Sequence, residues 1–269
     1  MPKVVFITGG SSGIGKSIGE YLTNKGYNVY GTSRTPEKYK NEASFTLLQM
    51  DVTNMESVSK AISEVIEKEG RIDVLINNAG IGITGPIEET PDFEIKKAFD
   101  TNFHGPINII KAVLPYMRKE GKGHILNITS IAAYMGLPYR GIYSATKAAL
   151  EITIEAFRME TLQFGIQMTN IAPGDFATNI AAGRYHAPVL DDSPYKNAYE
   201  STLKMMNEHV DSGKDPLKMA KAVYKIIETP SPKIHYKVGA LLQKSSIVLK
   251  KILPDKMYER MLLNHYKLK

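Results

Sequence analysis

Ser130, Tyr143 and Lys147 stand thirteen and then four positions apart in "SIAAYMGLPYRGIYSATK", residues 130–147. A hydroxyl, a phenol and an ammonium at those intervals can move a proton together. Tyr143 and Lys147 fall in "GIYSATKAALEITIEAFRMETLQFG", whose apolar residues recur at helical spacing, so an i,i+4 pair there shares one face. A phenol, with an ordinary pKa of about 10, is a poor base at neutral pH, and a neighbouring ammonium favours its ionised form. Such a pair can supply or remove the hydroxyl proton of an alcohol–ketone couple. Ser130 follows the strand-like run "GHILNIT" and would hydrogen-bond the substrate oxygen. A Tyr-x-x-x-Lys pair alone is common on helix surfaces. What singles this one out is its company: a glycine-rich loop near the N-terminus, an Asn-Asn-Ala-Gly run at 77–80, and a serine at a strand end.

Those groups must be held by a scaffold, and the chain spells one. "KVVFIT" (3–8), "NVYGTS" (28–33), "FTLLQM" (45–50), "DVLIN" (73–77), "GHILNIT" (123–129) and "IQMTNI" (166–171) read as short strands buried on both faces, and "IHYKVG" (234–239) adds a seventh. Helix signals lie between them. Thr53 with Glu56 has the capping-box pattern, Thr90-Pro91 and Asp215-Pro216 each place a capping side chain before a proline, and Gly26 and Gly165 fit left-handed helix ends. Alternating strands and helices specify an α/β fold, a Rossmann-type doubly wound parallel sheet with helices on both faces, read here as one domain over 1–269. Ligands of such sheets bind beyond the carboxyl ends of the strands. The regularity lapses from about Asn179 to Ser212, a stretch that reads as a substrate lid.

"TGGSSGIG" (8–15) sits between the first strand and the first helix, where glycines let the backbone approach a pyrophosphate and the helix N-terminus favours its charge. Gly9, Ser11, Ser12, Gly13, Ile14 and Gly15 are therefore cofactor-binding candidates. The second strand ends in "TSRTPEK". A carboxylate there would bond the ribose hydroxyls of NAD(H), whereas Ser33 and Arg34 suit a 2′-phosphate, so the cofactor expected is NADP(H).

Composition narrows the alternatives. No cysteine is present, which excludes disulfides and thiolate chemistry, and the six histidines form no metal-ligand motif. No run approaches the roughly 20 apolar residues that cross a bilayer, and the first apolar run is too short for a signal peptide, so a soluble cytoplasmic protein is expected. The net charge of +6 is uneven. From Asp211 onward there are 13 Lys and Arg against 5 Asp and Glu; before it the balance is 21 against 23. The nearly neutral body has no basic face suited to nucleic acid. The basic segment from about 240 to 269 reads as two amphipathic helices split at Pro254. Their apolar stripe is expected to cover the substrate cleft or a second subunit; contact with an anionic membrane is the other use of such a pattern.

Together "TGGSSGIG", "DV" (51–52), "NNAG", "TNFHG" (101–105), Ser130, "YSATK" and "PGDFAT" (173–178) resemble the short-chain dehydrogenase/reductases of the single-domain type, from Lys3 to about Glu228. The resemblance implies a catalytic set of Asn102, Ser130, Tyr143 and Lys147, with Asn102 holding a water that relays protons to Lys147. It implies that Asp51, beside Val52, contacts the adenine amine and that Asn77, Asn78, Ala79 and Gly80 support the sheet beside the adenosine ribose. Tyr143 and Lys147 would also border the nicotinamide ribose, and Pro173, Gly174 and Thr178 would position the carboxamide. It further implies a homodimer or homotetramer. "SIAAYMGLPYRGIYSATKAALE" is similar to the branch containing 17β-hydroxysteroid and retinol dehydrogenases, which implies an apolar alcohol or carbonyl substrate. Ala132, Ala133, Tyr134, Met135, Leu137 and Pro138 would then line a hydrophobic pocket. A silent NADP(H)-binding sensor is the alternative, but it has no need of all four catalytic residues.

Overall fold

The computed structural model describes residues 1–39, 42–177, 183–211 and 213–268. In chain order its elements are β1 (Val4–Ile7), α1 (Gly13–Thr23), β2 (Asn28–Ser33), β3 (Thr46–Gln49), α2 (Met55–Glu69), β4 (Val74–Asn77) and β5 (Ile83–Thr84). There follow α3 (Asp92–Phe99), α4 (Gly105–Glu120), β6 (Gly123–Ile128), α5 (Gly141–Thr161), β7 (Ile166–Pro173), β8 (Tyr185–His186), α6 (Lys196–Asp211), α7 (Leu217–Ile227), β9 (His235–Val238), α8 (Leu241–Ile252) and α9 (Asp255–His265).

Seven strands form one sheet in the order β3-β2-β1-β4-β6-β7-β9, every pair parallel. Each of the seven apolar runs became one of these strands. The alternation of side chains divides the core. Val4 and Phe6 join Leu75, Ile125 and Met168 on one face, under α2, α4 and α5, where Val58, Ile62, Ile110, Val113, Leu150 and Ile154 pack. Val5 and Ile7 turn to the other face with Ile76, Leu126 and Ile171, covered by Ile18 and Leu22 of α1 and Met219, Val223 and Ile226 of α7. The strand order reverses between β1 and β4, so the connections after them leave the sheet in opposite directions and open a crevice at its carboxyl edge.

Gly26 (φ 84°) and Gly165 (φ 70°) take the left-handed conformation expected of them. Asp215 caps α7 by accepting from the N–H of Leu217 at 2.8 Å. Two other caps differ from expectation. Thr53 donates its hydroxyl to Asp51, and Asn54 caps α2 instead, its side chain accepting from the N–H of Ser57 at 2.9 Å. Thr90 gives its hydroxyl to the carbonyl of Pro86 at 2.7 Å and leaves α3 without a side-chain cap. In both cases the side chain is turned to donate its hydroxyl to a local oxygen, so its own oxygen is not presented to the helix amides.

The segment expected as a lid lies partly outside the described residues, at 179–182 and 212. Its described portion is tied down: β8 pairs in parallel with β5, and Tyr199 of α6 donates to the carbonyl of Thr84 at 3.1 Å. At the C-terminus, Ile247 of α8 and Tyr258 of α9 are buried against Ile131, Met135 and Ala172 beside the carboxyl edge of β6 and β7. The stripe thus covers protein in part, while Leu241, Leu242 and Ile252 remain exposed. No helix among the described residues is long and apolar enough to cross a membrane.

Candidate active site

α5 brings the phenol and the ammonium to the crevice. Tyr143 lies half-buried in its first turn, and Lys147, one turn on, is almost fully buried. The Lys147 Nζ donates to the carbonyl of Ile128, the last residue of β6, at 3.0 Å. Burial pushes the Lys147 pKa below its ordinary value, opposed by the negative charge that Tyr143 and Glu151 can carry. Ser130 follows the same strand in extended conformation. Its Oγ accepts from the N–H of Ala132 at 3.1 Å, capping a short 3-10 turn at Ile131–Tyr134, and this orients the hydroxyl proton for a ligand.

Asn102 sits in a π-helical turn, Asp100–His104, that joins α3 to α4. Its side-chain amide clamps the backbone of Ile81 from both ends: Nδ2 donates to the carbonyl at 2.9 Å and Oδ1 accepts from the N–H at 2.8 Å. Nδ2 also reaches Thr146 Oγ1 on α5 at 3.2 Å. The extra residue of a π turn, a feature frequent at functional sites, lets the amide face inward here. Gly80 completes the junction, because a Cβ there would stand 3.1 Å from Asn102 Oδ1 and 3.4 Å from Lys147 Nζ.

The glycine loop has the shape a diphosphate requires. Gly9 and Gly13 are left-handed, at φ 66° and 54°. A Cβ on Gly15 would meet the Gly9 carbonyl oxygen at 2.2 Å and Asn78 Nδ2 at 2.5 Å. Ser12 at the N-cap of α1 makes no side-chain capping bond, and the first turn carries no acid, so the amides at Ser11–Gly15 and the helix dipole are left for an anion. Asn78 braces this loop rather than facing outward: Nδ2 donates to the carbonyls of Thr8 and Gly9, both at 3.0 Å. Ala79 is fixed by its N–H to Thr8 Oγ1 at 2.9 Å. Ser33 ends β2 and exposed Arg34 follows it, with no ion pair to Arg34 among the described residues. Asp51 uses Oδ1 to accept from both N and Oγ1 of Thr53, and Val52 packs against the bare face of Gly105. Pro173 ends β7, and Gly174 is held by its N–H to the Val238 carbonyl at 2.8 Å. Thr178 lies outside the described residues. These groups fit a dinucleotide at the carboxyl edge of β1, β2 and β4.

A model of the short chain dehydrogenase family matches residues 3–188. The chain belongs to the short-chain dehydrogenases. It is 40% identical over 259 residues, 96% of each chain, to a 3-ketodihydrosphingosine reductase of Bacteroides thetaiotaomicron. It is also 38% identical over 189 residues, 66% of this chain and 60% of the other, to human retinol dehydrogenase 8. Among solved structures, a short-chain dehydrogenase from Streptomyces avermitilis superposes with a TM-score of 0.81 at 30% identity, covering 99% of this chain and 96% of that one. ElxO, solved with NADP bound, matches with a TM-score of 0.70 at 29% identity over 88% of this chain and 97% of its own.

The cleft of this dehydrogenase differs from expectation in its wall. It is lined by Ile14, Gly82, Ile83, Thr84, Ser130, Arg140, Tyr143, Pro173, Gly174, Asp175, Phe176 and Arg184. Ala132, Ala133, Tyr134, Met135, Leu137 and Pro138 are not among them. Tyr134, Met135 and Leu137 instead form the seat of α8 and α9. The Tyr134 hydroxyl donates to Glu151 at 2.5 Å, and burial, reinforced by this bond to an anion, raises its pKa. Sequence reasoning missed Arg140, Asp175, Arg184 and Gln243. The one local signal was Gly174: a Cβ there would come within 2.0 Å of Gln243 Oε1, so its bare backbone receives α8.

Proposed function

We propose that this short-chain dehydrogenase reduces a ketone or aldehyde to an alcohol with NADPH, on a substrate carrying a long apolar portion. The observation that carries the reading is that Ser130 and Tyr143 line one cleft with Ile14 of the glycine loop, while Lys147, one helical turn from Tyr143, is buried with its ammonium held at the Ile128 carbonyl. Ser130 hydrogen-bonds the carbonyl oxygen, and Tyr143 donates the proton that makes it a hydroxyl. Lys147 stabilises the phenolate left behind, and Asn102 positions Lys147 through Thr146 and the Gly80–Ile81 backbone. The nicotinamide supplies the hydride. Gly9 and Ser11–Gly15 hold the diphosphate; Ser33 and Arg34 hold the 2′-phosphate; Asp51 and Val52 border the adenine; Asn78, Ala79 and Gly80 back the ribose; Pro173, Gly174 and Thr178 align the carboxamide.

Arg34, exposed with no carboxylate before Glu37, supports NADPH, and ElxO is a relative solved with NADP. The long apolar portion, though not the charge of the head group, rests on the Bacteroides relative, a 3-ketodihydrosphingosine reductase by name, and on helices α8 and α9 beside the cleft. Ile152, Met159 and Leu162 stand exposed along α5 and its end, an apolar strip that suits the homodimer or homotetramer proposed here. The test is oxidation of NADPH and of NADH against long-chain ketones and small polar carbonyls, with Arg34→Ala beside the native protein. NADPH preference reduced about tenfold or more in the variant is expected. A native preference for NADH, or turnover of small polar carbonyls alone, contradicts the reading.

A further inference from the structure

The substrate side of the cleft carries a charge arrangement that proton and hydride transfer do not require. Arg184 immediately precedes β8, and its backbone is fixed by Tyr185 N–H to the Gly82 carbonyl at 3.0 Å and Ala187 N–H to that of Thr84 at 2.8 Å. The side chain lies across Gly82, where a Cβ would meet Arg184 Cγ at 2.8 Å and Nε at 3.1 Å. That leads the guanidinium into the same cleft as Ser130 and Tyr143. Its Nη1 is sealed from solvent with no hydrogen-bond partner. Arg140 stands on the same wall, its guanidinium over the Tyr143 ring at 5.5 Å from the centroid.

The charged and titratable groups that act on Arg184 are Arg140, Tyr143, Asp175 and Tyr199; burial and then Arg140 lower its pKa, and the other three oppose them. Asp175 is the single carboxylate in that set, and its Oδ2 already accepts from Gln243 Nε2 at 2.5 Å. Two guanidiniums against one carboxylate leave the cleft net positive. A buried guanidinium N–H without an acceptor is costly, and an anionic oxygen from a ligand removes that cost with a strong, directional bond.

We propose that Arg184, with Arg140 beside it, binds an anionic group of the substrate, a carboxylate or phosphate close to the reacting carbonyl. The proposal rests on the reductase reading and narrows it. An amino ketone such as 3-ketodihydrosphingosine would bring an ammonium toward two guanidiniums and is disfavoured here. The cofactor's own phosphates are the other source of anionic oxygen, so the experiment measures both.

The probes are a long-chain 3-oxo acid, its methyl ester and 3-ketodihydrosphingosine. Each is assayed for turnover with NADPH and, by calorimetry, for binding to the NADP+ complex, in the native protein, Arg184→Met and Arg184→Lys. NADPH affinity is measured separately for all three proteins. The acid is expected to exceed the ester by roughly 10- to 100-fold in kcat/KM and in affinity, the worth of a hydrogen bond to a charged group. Arg184→Met should abolish that ratio, Arg184→Lys should restore part of it, and NADPH affinity should not follow. An acid-to-ester ratio unchanged in Arg184→Met overturns the proposal. So does a loss of NADPH affinity in the variants with the ratio intact, which would assign the guanidinium to the cofactor, and so does native preference for 3-ketodihydrosphingosine. Selective binding of the acid without turnover of any probe would uphold the anion site and overturn the reductase reading alone.

Discussion

The ammonium of Lys147 and the carbonyl of Ile128 are joined by a 3.0 Å hydrogen bond that fixes α5 to the end of β6. The bond aims a buried cation from the helix that carries Tyr143 toward the strand whose extension carries Ser130. Lys147→Met removes the cation and its bond to the Ile128 carbonyl. A fall in kcat/KM of roughly 10²- to 10⁴-fold is expected, the range of a lost general acid–base partner. Steady-state kinetics with NADPH check it, and a loss under tenfold contradicts the role.

Gly15→Ala tests the cofactor cradle. Its Cβ would lie 2.2 Å from the Gly9 carbonyl oxygen and 2.5 Å from Asn78 Nδ2, both part of the braced loop, so the loop must open. NADPH affinity, followed by nucleotide fluorescence, should fall about tenfold or more while the far-ultraviolet circular dichroism is retained. Unchanged affinity would place the diphosphate elsewhere.

His124 predicts a pH dependence of stability. It is buried between β4 and β7 with Nε2 at 3.1 Å from Thr169 Oγ1, and burial, reinforced by Arg158 and Lys3, lowers its pKa from 6.5 to about 4. The folded protein therefore keeps His124 neutral where the unfolded chain takes up a proton. Its contribution is fully present above pH 6.5 and is lost as the pH falls through the folded value near 4, an effect of about 3 kcal/mol. Urea titrations of native protein and His124→Gln between those limits should show the native protein losing more stability than the variant. Parallel curves contradict the assignment.

The strands and the proton-transfer residues were legible for different reasons. Parallel strands buried on both faces need unbroken apolar runs, and Val4–Ile7 or Val74–Asn77 have no other good fate. Tyr143, Lys147 and Ser130 were legible because few side chains can do that chemistry, and fewer at that spacing. What escaped was decided by long-range contacts. Tyr134 and Met135 are apolar enough to line a pocket or to seat a helix, and only the return of α8 and α9 settles which. Arg184 reaches the cleft through a two-residue pairing of β8 with β5 across about a hundred positions, which no local pattern announces. Thr53 and Thr90 matched capping signatures, but their side chains are turned to donate to Asp51 and to the Pro86 carbonyl, and so do not accept from the helix amides.

As the proposed proton donor of an NADPH-dependent carbonyl reductase, Tyr143 should be indispensable to turnover. The most direct measurement is the rate of NADPH consumption with a long-chain ketone by the native protein and by Tyr143→Phe, which keeps the ring beneath Arg140 and removes the hydroxyl. Turnover by the native protein, reduced roughly 10²-fold or more in a variant that still binds NADPH, is the predicted result. Equal rates in the two proteins would contradict the account.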